Sequence, residues 1–186
     1  MVLSKLPTPV INVVGKYLME LYKNPVRTKA ITSSIISALG NYTSQAITGC
    51  EINQRSIAAF GLFGLLFGGT IPHYFYIILE QAFPGSGRLT GICKFIVERF
   101  IYAPLYQMFS LYVLARFEGK SHIRAYKQTA KLYWSVLQAN WQYLSWIQLI
   151  NILLVPSMFR VLVMNMVGFF WNIYLASKRR AENKSD

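Results

Sequence analysis

Apolar residues fall along this chain in a few long blocks, separated by short basic or turn-forming stretches. The longest block, Trp141 to Ser177, is two apolar runs joined at Pro156, with Arg160 as its one formal charge. A helix of about 20 apolar residues crosses the hydrocarbon core of a bilayer, so Val155 to Ala176 is long enough to span. Ala30 to Cys50 and Ser56 to Leu79 carry no charge, and a further apolar run extends from Ile92 to Ala115. This pattern predicts span 1 over 27–48, span 2 over 56–80, span 3 over 92–116 and a C-terminal span region over 141–177.

Between and before these blocks the period is helical but one-sided. Thr8-Pro9 reads as an N-cap with proline at the first helical position, followed by Val10, Val14, Leu18 and Leu21 on one stripe. That predicts an amphipathic helix over 9–23, lying on the membrane or packed against the bundle and ended by Asn24-Pro25. Over 121–140, Arg124, Lys127 and Lys131 share one face, and Ile123, Tyr126, Tyr133 and Leu137 the other, which reads as a basic interfacial helix. A nucleic-acid stripe is the competing reading. Phe83 to Gly87 is a turn cluster, and 178–186 is a basic tail. The fold class is therefore all-α: a single integral membrane domain of about four transmembrane helices, with kinks at Pro72, Pro104 and Pro156 and amphipathic helices at the interface. An even number of spans would put both chain ends on one side.

Small residues pattern two of the spans. Ser33, Ser37, Gly40 and Ser44 line one face of the first, opposite Ile31, Ile35, Leu39 and Tyr42. Gly61, Gly64 and Gly68 line the second. Such faces allow helix backbones to approach closely, within a subunit or between subunits.

Composition removes the soluble classes. The chain is 54% hydrophobic and only 14% charged, with a mean hydropathy of +0.34. Its net charge of +12 sits at the ends of apolar runs, where it meets anionic headgroups rather than nucleic acid. Cys50 and Cys93 have neither a disulfide framework nor metal-ligand spacing. The start, MVLSKLPTPV, is a poor signal peptide. No phosphate loop, nucleophile elbow or metal-ligand set is present, so neither an enzyme nor a cofactor is expected.

The remaining chemistry lies in polar side chains at membrane depth, where a charge costs about 2.5–3.5 kcal/mol on insertion scales and usually faces protein or water. His73 and Glu80 follow Pro72, and a structural hydrogen bond is the simpler reading than a catalytic pair. Glu98 and Arg99, with Lys94, read as a neutralised interhelical cluster or as the lining of an aqueous vestibule. Gln148 with Asn151, and Asn165 with Asn172, share helix faces. Polar glue between helices and a wet pathway both remain open for them. Arg160 follows the break expected at Pro156. It either bonds Glu98, Glu80 or carbonyls freed by the proline, or faces a lumen and sets ion preference.

These residues carry a resemblance. The opening block YLMELYKNPVRTKAITSSIISALGNYTSQ, HYFYIILE at His73 to Glu80, FIVERFIYAP ending at Pro104, and RFEGK at Arg116 to Lys120 resemble a family of small four-span peroxisomal and mitochondrial membrane proteins. So do Asn140, Gln148, Asn151, Val155-Pro156, Arg160, Trp171-Asn172 and Tyr174-Leu175. Departures are Gly69-Thr70-Ile71-Pro72, where the family places proline directly after glycine, Leu144-Ser145 in place of Trp-Pro, and Glu98 in place of Asp. The resemblance implies a channel for small hydrophilic solutes in the peroxisomal membrane, assembled as a homo-oligomer such as a trimer and delivered by the peroxisomal membrane-protein import machinery. A non-conducting structural or assembly protein, and a mitochondrial inner-membrane channel of the same family, are the alternatives.

Overall fold

The computed structural model describes residues 8–49, 51–85, 87–154 and 157–185, with side-chain surroundings described except at 8–11, 88, 151–162, 165 and 183–185. Pro156 and the side chains of Asn151, Arg160 and Asn165 therefore lie outside the described residues.

Every regular element among the described residues is a helix. α1 is Thr8–Lys23 and α2 is Pro25–Ile47. α3 is Gln54–Ala82, interrupted by a π-helical stretch at Gly64–Gly68. α4 starts as Arg88–Val97, widens to a π-helix at Glu98–Tyr102 and continues as Ala103–Phe117. α5 runs as His122–Ala139, Asn140–Leu144 (again π) and Ser145–Leu154. α6 is Ser157–Ser185. Side chains set several of these starts. Asn53 accepts from Ser56 N at 3.1 Å, and Ser121 from Arg124 N, each satisfying a donor the helix leaves unpaired. Gly119, at φ +87°, makes the turn from α4 into α5 that a side chain would resist.

The first two π stretches stand just before prolines. Pro72 and Pro104 have no N–H for the carbonyl four residues back, which loosens the helical ladder at these places. The third, at Asn140–Leu144, contains no proline.

α2 to α6 alternate in direction. Antiparallel pairing of α2 with α3 brings Gly64 to Ser33 and Asn41 to Ser56. α3 meets α4 from Ser56–Glu118 to Glu80–Lys94. α4 meets α5 from Tyr112–His122 to Arg99–Gln148, and α5 meets α6 through Lys131–Glu182. α6 also runs parallel to α2, with the Ser44 and Ser177 hydroxyls 2.8 Å apart. The beginning of α2 and the end of α6 thus stand at opposite ends of the bundle.

One expectation changes. The basic segment 121–140 is not a separate interfacial helix, while the two apolar runs of 141–177 lie in two helices. Asn140 is passed without a break, so 121–140 forms the first half of α5, and the rest of 141–177 divides between α5 and α6, which pack against each other. The buried face of α5 is mixed. Ala125, Leu132, Val136 and Leu137 face inward beside Gln128 and Thr129, while Ile123 and Tyr126 point out at 66% and 67% exposure. Small and hydrogen-bonded residues permit close packing, and the outward apolar groups suit lipid. α2 repeats this pattern: Ala30, Ser37, Gly40, Asn41, Ser44 and Gln45 are buried, whereas Ile31, Ile35, Leu39 and Tyr42 are exposed. An exterior this apolar is what a bilayer, rather than water, stabilises. Among the described residues, α3 alone is long and apolar enough to cross a membrane by itself.

The glycine face of α3 packs against α2 of the same chain. A Cβ on Gly64 would stand 2.5 Å from Ser33 O, and one on Gly69 would stand 2.5 Å from Ala30 N. Gly68 presses against the Ser33 hydroxyl, while at Gly61 the space is ordinary. Phe60, Phe63, Leu111, Leu114, Leu132, Val136, Leu175 and Ala176 form the apolar core, from α3, α4, α5 and α6.

Candidate functional site: a polar cavity inside the bundle

Toward the end of the bundle where α2 begins, the helices part around a cavity of about 440 Å³. α2 contributes Lys29, Thr32, Ser33 and Ile36, and α3 contributes Gly68, Gly69, Pro72, His73 and Tyr76. Gln148 comes from α5, Met164, Gly168 and Asn172 from α6, and Tyr17 from α1 covers one side. Gly168 of α6 leaves room here, since a Cβ on it would meet nothing within 4 Å, while His73 and Tyr76 follow Pro72 and the π stretch before it.

Lys29 Nζ lies 3.1 Å from His73 Nδ1. A lysine ammonium has only protons to give, so Nδ1 accepts and the ring proton of a neutral imidazole sits on Nε2. Among the described residues no carboxylate lies within ion-pair distance of Lys29. Tyr17 OH receives a hydrogen bond from Thr32 at 3.3 Å, tying α1 to the rim. Asn172 Nδ2 donates to Gly168 O of its own helix at 2.8 Å.

Behind the cavity wall is a buried cluster that joins two π stretches. Arg99 Nε lies 2.8 Å from Glu98, Nη1 donates to Asn140 Oδ1 at 3.1 Å and Nη2 donates to Gln148 Oε1. Trp141 Nε1 donates to Arg99 O at 2.9 Å. Gln148 therefore belongs to both places: it fixes Arg99 and lines the cavity.

The polar residues singled out in the sequence divide accordingly. His73, Gln148 and Asn172 meet at the cavity. Glu98 and Arg99 pair with each other behind it. Lys94 leaves that cluster and bridges to Glu80 at 2.5 Å on the surface. His73 and Glu80 do not meet, because each has its own basic partner. Both acids considered for Arg160 are thus paired with other cations.

Three cavity groups escaped the sequence reading. Lys29 is one of the bases at the ends of apolar runs, yet Lys29, Thr32, Ser33 and Ile36 recur at helical spacing and share one face. Tyr76 sits one turn after His73, on the same face. Tyr17 falls on the apolar stripe of α1, one turn from both Val14 and Leu21, and does not stand out from it by position.

A second, unforeseen polar site closes the other end of the bundle. Arg179, expected in a solvated basic tail, is 1% exposed. Its Nη2 donates to Glu118 at 2.6 Å and its Nη1 to Leu111 O at 2.8 Å. Ser56 donates to the other Glu118 oxygen at 3.0 Å, and Asn41 donates to Ser56 at 3.1 Å. Gln45 then bonds Asn41 and the backbone of Asn53, bracing the α2–α3 turn. A smaller cavity of about 370 Å³, lined by Arg55, Lys120 and Arg180 together with Glu51 and Glu118, opens beside this network.

Fold and site together define an all-α membrane protein whose bundle holds a polar cavity. A family model described as the Mpv17 / PMP22 family matches residues 115–176. The chain is 33% identical over 171 residues to peroxisomal membrane protein 2 of Bos taurus, covering 88% of this chain and 87% of the relative. It is 30% identical to peroxisomal membrane protein PMP22 of Arabidopsis thaliana, covering 89% of each chain. It is 22% identical to mitochondrial inner membrane protein Mpv17 of Caenorhabditis briggsae, covering 94% and 97%. The chain belongs to the Mpv17 / PMP22 family. No solved structure gives a significant match.

Proposed function

We propose that this protein is a peroxisomal membrane channel for the passive diffusion of small hydrophilic solutes. The observation that carries this reading is the cavity of about 440 Å³, walled by Lys29, Thr32, Ser33, His73, Tyr76, Gln148 and Asn172 inside a bundle whose exterior is apolar. Polar side chains at membrane depth are tolerated where they line water, and irregular helical turns where they border a cavity. The relatives named as peroxisomal membrane proteins support the compartment. Between the two cavities α2 touches α6 at Gly40, where a Cβ would stand 2.7 Å from Asn172 Cβ. A continuous path therefore requires this seam to part, or runs between copies in a homo-oligomer such as a trimer, where apolar faces such as Ile78, Phe100 and Leu105 would meet.

A second reading has its own observation. Arg99 uses Asn140 and Gln148 as bonds between helices, which suits a non-conducting assembly protein. Purified protein in planar bilayers separates the two. Stepwise conductance that is lowered by neutral solutes small enough to enter and recovers once they are too large to enter is the expected result for a pore. Silent bilayers containing protein shown to be folded would leave the assembly reading.

A further inference from the structure

We infer that the cavity favours small anionic solutes, carboxylates or inorganic anions of a few heavy atoms, and that Lys29 is the charge that attracts them. The inference rests on reading the bundle as a pore and adds the class of solute. Among the described residues Lys29 is the one charged residue in the cavity wall, and no carboxylate is paired with it. Glu20, the acid of the neighbouring α1, instead accepts from Asn24 Nδ2 at 3.3 Å. His73 Nδ1 at 3.1 Å occupies one ammonium proton and leaves two for a ligand.

The groups beside Lys29 present protons rather than charge-bearing acceptors. His73 offers Nε2–H, and Ser33 and Tyr17 offer hydroxyls. A single cation in a cleft with low-dielectric walls concentrates counter-ions, raising their local level by tenfold or more. The Lys94–Glu80 bridge on the surface has no such effect, because its charges cancel. Net positive potential with several convergent donors matches an anion and repels a cation of the same size. The size of the space limits the ligand to a small solute.

The test is the reversal potential of the full-length protein in zwitterionic planar bilayers under a steep potassium chloride gradient. Wild type should reverse on the chloride side of zero. Lys29→Gln should lower the anion-to-cation permeability ratio by on the order of tenfold. Lys29→Arg should keep the preference, and Lys29→Glu should turn it toward potassium. A wild-type preference for potassium overturns the inference while leaving the pore intact. So does a chloride preference that Lys29→Gln leaves unchanged. If a variant does not reconstitute, wild type alone decides: substituting acetate for chloride should preserve the current, and a current carried only by the cation refutes the proposal. No conductance from folded wild type would defeat the pore reading itself, and this inference with it.

Discussion

The two ends of the bundle treat buried positive charge in opposite ways. Where α6 ends, Arg179 is enclosed, with Glu118 and the Leu111 carbonyl taking its two Nη groups. Where α2 begins, Lys29 borders open space with only a neutral imidazole beside it. The first arrangement cancels charge and locks α4 to α6. The second leaves charge available. Burial of a basic residue is thus no guide to its role without an account of its counter-charge.

The comparison can be broken by substitution, and the largest effect belongs at the closed end. Arg179→Leu strands Glu118 in a buried setting, and stability should fall by about 3–5 kcal/mol. Thermal unfolding in detergent reads this directly, and a wild-type melting curve would show that the pair is dispensable. Next comes the seam that shapes the cavity. Gly64→Leu forces a branched side chain into the Ser33 backbone and should cost about 1–3 kcal/mol, whereas Gly61→Ala should be close to neutral. Equal melting of the two variants would mean that α2 and α3 do not pack as described. The smallest effect on stability sharpens the contrast. Lys29→Gln should stay within about 0.5 kcal/mol of wild type in the same assay, because no ion pair is broken. A loss comparable to that of Arg179→Leu would make Lys29 a structural residue.

Much of the fold was legible because membrane helices announce themselves by length and apolarity. The breaks at Asn24-Pro25 and Phe83 to Gly87 follow from proline and glycine chemistry and fall where expected. The small-residue faces of α2 and α3 were visible as spacings, since only close backbone approach explains such runs. α5 misled because its character changes halfway: a basic first half and an apolar second half look like two elements, yet helical hydrogen bonding is indifferent to that change. The face that looks apolar in sequence is split: Leu137 packs inward with Ala125, Gln128 and Thr129, while Ile123 and Tyr126 turn outward, as suits lipid. The site was half legible. Polar residues in apolar sequence pointed to His73, Gln148 and Asn172. Which cation meets which acid depends on how the helices align, so the splitting of Lys94, Glu98 and Arg99 between two partners could not be read from their neighbourhood in sequence.

The adjacency of α2 and α6 sets the order in which the protein can be made. Ser44 meets Ser177, and Arg180 donates to Ser44 O at 3.2 Å and to Thr48 Oγ1 at 2.5 Å, across more than 130 positions of sequence. The first long helix therefore waits for the last before its serine face is covered. Contacts between such distant segments form late, since the loop between them must close first. A ribosome-bound chain released before α6 would offer an exposed polar stripe to the bilayer and to quality control. Maturation of the whole bundle thus hinges on its final thirty or so residues, about the length of one helix.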